Sequence, residues 1–330
     1  MSVFSRVEAR LAGPVDVLAD RSVLIGYSRA GYALRERTWR PDPPSGALRG
    51  RTAIITGASS GIGEATALGL VRLGATVVLL VRDEERGQRT RDRILAEVND
   101  AHVHVFRCDV SDLDDVARGA ERLREEHPTI DVLVHNAGVL PPARGESPQG
   151  HELTLATHVL GPLRLTEDLR PALDASGDAR VVWMSSGGMY TQPVPADDIE
   201  YRSGRYRGAV AYARTKRLQV AFTPLLGQRL AAEDVSVNAT HPGWVDTPGV
   251  AGSLPGFRAV TKPVLRTPEQ GADTAVWLAA AKPAPVCGRF WHDRRERPQH
   301  YLPGRQDDPE QLHRAWAYCL AAAGLHDRAG

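Results

Sequence analysis

The sequence predicts an α/β protein with a single doubly wound parallel sheet of about seven strands and helices on both faces. The first observation is a short apolar run, residues 53–55, that leads through a glycine-rich turn into a helical pattern. The second is that residues 75–81 are almost uniformly apolar, which is typical of a strand buried on both faces. The third is that polar residues follow such runs directly, where an open parallel sheet binds its ligands.

The 330 residues divide into an N-terminal helical extension with a linker, residues 1–50, and one domain, residues 51–330. Apolar side chains recur at helical spacing within residues 3–11 and 23–34, and the proline-rich residues 41–46 end the extension. We expect these helices to pack on the domain itself or on a second copy in a homo-oligomer. Contact with an anionic membrane surface is the less favoured alternative, raised by arginines beside the second stripe.

The composition excludes several classes of protein. The formal net charge of +1 gives no electrostatic case for a nucleic-acid partner. Cys108, Cys287 and Cys319 are few and widely spaced, which suits a reducing compartment and argues against disulfides and zinc. His102 and His104 share a strand face with no third ligand nearby, so we expect no metal. No apolar run reaches the ~20 residues that span a bilayer and no secretory signal is evident, so we expect a cytoplasmic protein.

The glycine-rich turn has the form of a pyrophosphate cradle. Glycine lets the backbone approach a ligand closely, and the free N–H groups at a helix start attract negative charge. The spacing is G-x-x-x-G-x-G rather than G-x-G-x-x-G, but the mechanics are the same. The residues expected to contact a dinucleotide here are Gly57, Ser59, Ser60, Gly61, Ile62 and Gly63.

The next two strand ends indicate which dinucleotide binds. Arg82 ends the second apolar strand, at the place where a carboxylate would bind the ribose of NAD and an arginine accommodates the 2′-phosphate of NADP. The sequence therefore favours NADP(H) over NAD(H). Asp109 and Val110 end the third strand, where the adenine amino group could be read.

A candidate proton-transfer site lies further along the chain. Tyr212 and Lys216 are four residues apart on a predicted helix, so both side chains lie on one face. An ammonium group beside a tyrosine stabilises the phenolate, and we expect Lys216 to lower the pKa of Tyr212 in this way. Ser186 follows the fifth strand and is the expected carbonyl-binding serine, with Ser185 its immediate rival.

In this order, the glycine loop, Asn136-Ala137-Gly138, the serine strand and Tyr212-x-x-x-Lys216 resemble the short-chain dehydrogenase/reductases. The likeness covers about residues 51–301 and is greatest to the dehydrogenase/reductase family member 12 subgroup. It implies a Rossmann-type fold, cofactor contacts from Asn136, Ala137 and Gly138, and a lysine that holds the nicotinamide ribose. Asn136 is also the asparagine that steadies the central sheet in this family. The stretch after the sixth strand resembles the family's nicotinamide loop, which implies cofactor contacts from Pro242, Gly243, Val245 and Thr247 within a substrate lid around residues 243–266.

The resemblance implies an oxidoreductase of class EC 1.1.1.- that interconverts a carbonyl, on a lipophilic ketone or aldehyde, and an alcohol with NADP(H). Tyr212 would be the general acid and base, and Ser186 would orient the carbonyl. The alternative is a catalytically impaired NADP-binding protein that acts as a membrane-surface or partner-binding module.

His158 is the main departure from the family pattern. It occupies the position of an asparagine that helps hold a water on the proton path from the lysine to solvent. A neutral imidazole can both donate and accept. We therefore expect His158 to replace the asparagine in the active site and to add a pH dependence near neutrality.

Overall fold

The computed structural model describes residues 22–39, 41–247, 249, 255–301 and 306–326. Its centre is one eight-stranded sheet with the order β3-β2-β1-β4-β5-β6-β7-β8. The first seven strands are parallel, and the two-residue β8 pairs with β7 antiparallel. The strands are Thr52–Thr56 (β1), Thr76–Val81 (β2), Val103–Arg107 (β3), Val132–His135 (β4), Arg180–Met184 (β5), Ser236–Thr240 (β6), Arg289–His292 (β7) and Arg295–Glu296 (β8).

This topology confirms the predicted doubly wound α/β fold. Strand order reverses between β1 and β4, so the carboxyl ends of these strands border the crevice in which such sheets bind ligands. The α-helices between and after the strands are Gly61–Arg72 (α3), Glu84–Glu97 (α4), Leu113–Glu126 (α5), Leu153–Leu155 (α6), Gly161–Asp168 (α7), Arg170–Asp174 (α8), Gly208–Arg229 (α9), Pro255–Thr261 (α10), Pro268–Ala280 (α11) and Pro309–Ala322 (α12). A π-helical turn, Ala156–Leu160, joins α6 to α7.

The core has two layers, one on each face of the sheet. Ile54 lies in one layer while its neighbours Ala53 and Ile55 lie in the other, as strand alternation requires. One layer includes apolar side chains of α5, α7, α9 and α12, and the other includes those of α3, α4 and α11. Helix α11 begins with a capping box, in which Thr267 and Gln270 bond each other's backbone N–H groups. The sequence predicts it, because threonine is followed three residues later by glutamine.

The described part of the N-terminal extension, residues 22–39 and 41–50, packs against the domain. The first predicted stripe, within residues 3–11, lies outside the described residues. The second forms two short helices, Val23–Gly26 (α1) and Arg29–Glu36 (α2), instead of one. The break comes at Tyr27 and Ser28, where Ser28 has extended backbone angles and begins α2.

Among the described residues, no helix is long and apolar enough to cross a membrane. The expected lid lies partly outside the described residues, and within them α10 and the short helical turn Lys262–Val264 occupy it.

The arginines after β7 correct a sequence prediction. From the sequence alone, the closely spaced charges of Arg294, Arg295 and Arg297 predict a solvated turn rather than a binding patch. Instead Arg294 is bonded to Asp273 and Asp42 with its side chain mostly buried, and Arg297 is buried as well. The physical reason is that the acidic partners of Arg294 are distant in sequence, so no local pattern indicates the pairing.

Candidate active site

The loop between β1 and α3 has the close backbone packing of a dinucleotide cradle. Gly57 and Gly61 have φ of 65° and 59°, in the left-handed region that favours glycine. A Cβ on Gly57 would lie 2.7 Å from the Cα of Ala137, so the loops after β1 and β4 touch. Ser60 begins α3 without a side-chain cap, which leaves the first N–H groups of that helix for an anion. These features fit a bound pyrophosphate.

Asn136 joins the two loops. Its side-chain amide donates to the carbonyl oxygens of Thr56, at 3.0 Å, and Gly57, at 3.2 Å. Its backbone N–H donates to the Thr56 hydroxyl. A Cβ on Gly63 would lie 2.5 Å from the Asn136 amide nitrogen, so this glycine also permits a close approach. The contacts agree with the sheet-steadying role that the resemblance implied for Asn136.

The adenosine end of the cradle is basic. Arg82 follows β2 directly and is exposed. Asp83, the nearest acid, caps α4 by accepting from the backbone N–H of Arg86 at 3.0 Å, so its carboxylate is committed to the helix. The guanidinium of Arg86 lies 3.5 Å from the Ser60 hydroxyl of the glycine loop. Sequence reasoning missed Arg86, although its position four residues after Arg82 in the first turn of a helix was a usable signal.

Asp109 lies at the end of β3 and faces the same crevice edge. One of its carboxylate oxygens accepts from the backbone N–H and the hydroxyl of Ser111, at 3.0 and 2.7 Å. These bonds fix the orientation of the carboxylate. Val110 is buried beside Gly161, so it contributes backbone rather than an exposed side chain.

Tyr212 and Lys216 occupy one face of α9, next to the end of β5. Lys216 is buried, and its Nζ donates to the carbonyl oxygen of Met184 at 2.6 Å while lying 5.4 Å from the centre of the Tyr212 ring. Ser186 is hydrogen-bonded to Tyr212. Ser185 instead points away, donating to the Lys216 carbonyl oxygen at 2.9 Å, and is buried. The geometry therefore brings Ser186, not Ser185, to the tyrosine.

The electrostatics of this pair differ from the sequence expectation. Burial lowers the pKa of Lys216 to about 7, because no acidic group among the described residues offsets the desolvation of its ammonium group. Burial also raises the pKa of Tyr212, and the hydrogen bond with Ser186 opposes that rise only in part. The expected lowering of the Tyr212 pKa by Lys216 is thus not seen in the structure. Tyr212 is held in its neutral form, whereas Lys216 changes its charge near neutral pH.

His158 lies in the π-helical turn and is completely buried. Its Nε2 accepts from the backbone N–H of Val139 at 2.9 Å, so the ring proton is on Nδ1 and is donated to the Thr215 hydroxyl at 2.8 Å. That hydroxyl donates in turn to the Tyr212 carbonyl oxygen. The imidazole meets the Tyr212 ring edge to face, with centres 5.3 Å apart.

These contacts overturn the expected behaviour of His158. Both ring nitrogens are already bonded within the protein, so neither is available to hold a water. Burial, reinforced by the nearby Lys216, keeps the pKa of His158 well below its usual value. The ring therefore stays neutral, and the added pH dependence near neutrality is not expected from it.

The loop after β6 reaches the same edge of the sheet. Gly243 has φ of 78°, and a Cβ there would lie 2.6 Å from Nε of Arg266. Val245 is buried and pairs with Arg266 as an isolated parallel bridge, while Pro242 and Thr247 are half-buried. Sequence reasoning missed Arg266, because an arginine before a helix gives no sign of burial.

Within the described residues, no group of three or more histidine, cysteine or acidic side chains could hold a metal ion. The candidate site is therefore built from the glycine cradle, the basic adenosine end, and the Ser186, Tyr212 and Lys216 cluster.

Comparisons with known proteins agree with this arrangement. The model of the short chain dehydrogenase family matches residues 51–255. Dehydrogenase/reductase SDR family member 12 of Bos taurus is 37% identical over 276 residues, covering 83% of this chain and 86% of that protein. Retinol dehydrogenase 13 of Homo sapiens is 31% identical, with coverage of 86% and 87%. The solved RhlG/NADP active-site complex of Pseudomonas aeruginosa has a TM-score of 0.62 and 26% identity, with coverage of 75% and 96%.

Proposed function

We propose a specific reaction for this chain, which belongs to the short-chain dehydrogenase/reductase family and is an NAD(P)-dependent oxidoreductase. It reduces a lipophilic ketone or aldehyde with NADPH, or runs the reverse oxidation of the alcohol. The observation that carries the proposal is the cluster of Tyr212, Ser186 and buried Lys216 at the end of β5, beside the glycine cradle. Names of similar proteins, a retinol dehydrogenase and a putative daunorubicin C-13 ketoreductase, support a lipophilic substrate class.

In the direction of reduction, Tyr212 donates its hydroxyl proton to the carbonyl oxygen as negative charge develops there. Ser186 hydrogen-bonds the same oxygen and fixes its distance from the tyrosine. When bound, NADPH supplies the hydride that reaches the carbonyl carbon. Lys216 holds the nicotinamide ribose and, once protonated, stabilises the tyrosinate that remains.

Activity of the purified protein with a panel of aldehydes and ketones, followed as NADPH oxidation, tests this proposal. Tyr212→Phe should lower kcat by at least about a hundredfold, because general acid catalysis contributes about 10²–10⁴ in rate, and should leave NADPH binding unchanged. Tyr201→Phe, at another buried tyrosine outside the site, is the matched control and should keep its activity. Equal turnover by Tyr212→Phe and the unmodified protein would rule out the assigned role.

The cofactor preference rests on a second observation. Arg82 and Arg86 are exposed at the adenosine end, and Asp83 is occupied as a helix cap. We propose that the two guanidiniums bind the 2′-phosphate of NADP, which an exposed carboxylate would repel. NADPH should bind more tightly than NADH, and the preference should shrink in Arg82→Ala and in Arg86→Ala. Exposed Arg89, one turn further along α4, gives the control Arg89→Ala. Equal affinity of the unmodified protein for both cofactors would contradict the proposal.

The alternative function, an impaired NADP-binding protein acting through its N-terminal helices, loses part of its basis. The described N-terminal helices contact the domain through buried side chains, including Tyr27 and Arg35. The activity panel separates the alternatives, because an impaired protein would bind NADPH without oxidising it.

A further inference from the structure

The N-terminal segment of residues 22–39, here called the clamp, lies against the carboxyl ends of three strands. It contacts Gly187 after β5, Trp244 after β6 and Asp293 after β7. These ends carry the candidate site. We propose that Tyr27 of the clamp is a positioning residue for the active site. It sets the relative placement of residues 185–188 after β5, here called the serine loop, and residues 241–247 after β6, here called the nicotinamide loop. This inference rests on the proposed function, which locates the reaction between those loops.

The backbone of Tyr27 extends the nicotinamide loop. Its carbonyl oxygen accepts from the N–H of Trp244 at 2.8 Å, and the carbonyl oxygen of Trp244 accepts from the N–H of Arg266 at 2.7 Å. The loop is thus held between Tyr27 of the clamp and Arg266, which lies two residues before α11. A Cβ on Gly243 would lie 2.8 Å from the carbonyl oxygen of Tyr27, so the two backbones approach too closely for a larger residue than glycine. Val245 and Thr247, the expected cofactor contacts, follow directly.

The ring of Tyr27 supports the serine loop. Tyr27 is buried, and a Cβ on Gly187, the residue after Ser186, would overlap its ring. The ring also meets His241, the residue after β6, at a centre-to-centre distance of 4.5 Å and an angle of 61°. Its hydroxyl bonds the hydroxyl of Tyr301. One side chain therefore touches the exits of both β5 and β6.

A buried ion cluster anchors the clamp in this position. Asp293 accepts from Arg35 of α2 at 2.7 Å and from Arg266 at 2.6 Å, and all three side chains are almost completely buried. Both guanidiniums also donate to the carbonyl oxygen of Gly26, the residue before Tyr27. The ion cluster thus holds the backbone next to the break between α1 and α2. It also explains the break at Tyr27 and Ser28, because in one continuous helix the carbonyl oxygen of Gly26 would accept from a backbone N–H of the helix.

Three variants separate positioning from stability. Tyr27→Ala removes the ring, whereas Tyr27→Phe keeps it and loses only the hydroxyl. Trp39→Ala is the matched control, because Trp39 is another clamp aromatic, packed on Tyr32 and Arg294. The measurements are KM and kcat, the thermal midpoint, and hydrogen–deuterium exchange of the peptide containing Trp244.

We expect Tyr27→Ala to lower kcat by about tenfold to a hundredfold, since small misplacements of reacting groups have effects of that size on the rate. Exchange at the Trp244 peptide should become faster in the same variant. Tyr27→Phe should behave like the unmodified protein. Trp39→Ala should lower the thermal midpoint without changing kcat, KM or the exchange of that peptide.

A double-variant cycle tests the ring contact directly. Gly187→Ala alone should impair activity, because its methyl group meets the Tyr27 ring. The same change in the Tyr27→Ala background should have a much smaller effect, because the space is then open. Additive effects would overturn the proposed contact.

Unchanged exchange at the Trp244 peptide in Tyr27→Ala would overturn the positioning role, whatever the activity. An unmodified protein without turnover would instead contradict the proposed function, and the exchange measurement would still decide the role of Tyr27.

Discussion

Two buried polar clusters lie near the carboxyl ends of the strands, one around Asp293 and the other around Lys216. Burial and neighbouring charges affect the ionisation of these two residues in opposite ways. At Asp293, burial alone would raise the carboxyl pKa, but Arg266 and Arg35 outweigh it and hold the pKa of Asp293 below its usual value. At Lys216, burial lowers the pKa to about 7, and within the part of the chain that the structure describes no acidic group opposes this. The comparison indicates that pairing preserves charge where the fold needs an anchor. Burial without pairing leaves a group able to exchange its proton near neutral pH.

The largest effect should come from breaking the paired cluster. Asp293→Ala leaves the guanidiniums of Arg35 and Arg266 buried without a counter-charge, and we expect a loss of about 3–5 kcal/mol in the free energy of unfolding. Chemical denaturation measures this. Asp293 has φ of 50°, so Asp293→Asn, which tolerates that backbone, isolates the charge.

Asp100→Ala is the matched control for this change. Asp100 has a similar φ of 61° but is exposed. It should change stability little. Because the pKa of Asp293 is lowered on folding, its contribution is present above the unfolded value of about 3.9 and is lost as pH falls towards the folded value. If Asp293→Ala lost no more unfolding free energy than Asp100→Ala, the anchoring role of Asp293 would be contradicted.

The sequence predicted those parts of the candidate site that are built from residues close together in the chain. The glycine cradle, the end of β2 and the Tyr212 and Lys216 pair each lie within one strand–turn–helix unit or one helix, so their spacing alone specified their geometry. The paired cluster joins Arg35 to Arg266 and Asp293, which lie far from Arg35 in the sequence. No local pattern distinguishes such buried arginines from solvated ones, which is why Arg294 and Arg297 were misjudged too.

The charge states of Tyr212 and Lys216 could not be predicted from the sequence either. The spacing of Tyr212 and Lys216 predicted their proximity but not the burial that surrounds them. The burial of His158 could not be predicted from the sequence either, where a histidine suggested a group that titrates near neutral pH. Its partners, Val139 and Thr215, come from a loop and another helix, and they fix the ring as neutral.

The unpaired cluster makes its own prediction about stability. Lys216 has a folded pKa of about 7, below the unfolded value of about 10.4. Between these values the unfolded chain binds more protons, so folding becomes more favourable as pH rises, by at most about 1.4 kcal/mol per pH unit. Lys216→Met should lack this rise. The exposed Lys262→Met is the control and should keep it. Parallel stability curves for Lys216→Met and the unmodified protein would contradict the assignment.

A smaller effect is expected at His158, which belongs to the unpaired cluster but does not titrate near neutrality. His158→Leu removes the acceptor of the Val139 N–H and one of the two hydrogen bonds of the Thr215 hydroxyl, at a cost of about 1–3 kcal/mol in the free energy of unfolding. His158→Asn should retain one of these bonds and be less destabilised. The pH profile of kcat between pH 6 and 8 should be the same in His158→Asn and the unmodified protein. A pH dependence that disappears in His158→Asn would contradict the neutral ring.

The central claim, that Lys216 exchanges its proton near neutral pH, can be measured directly. The chain has only three lysines, Lys216, Lys262 and Lys282, so a protein labelled with ¹³C-lysine gives few side-chain signals. Lys216→Met identifies the signal that belongs to Lys216. In a pH titration of the cofactor-free protein, we predict that this signal shifts with a midpoint of about 7. A midpoint near the ordinary lysine value of about 10.4 would contradict the account.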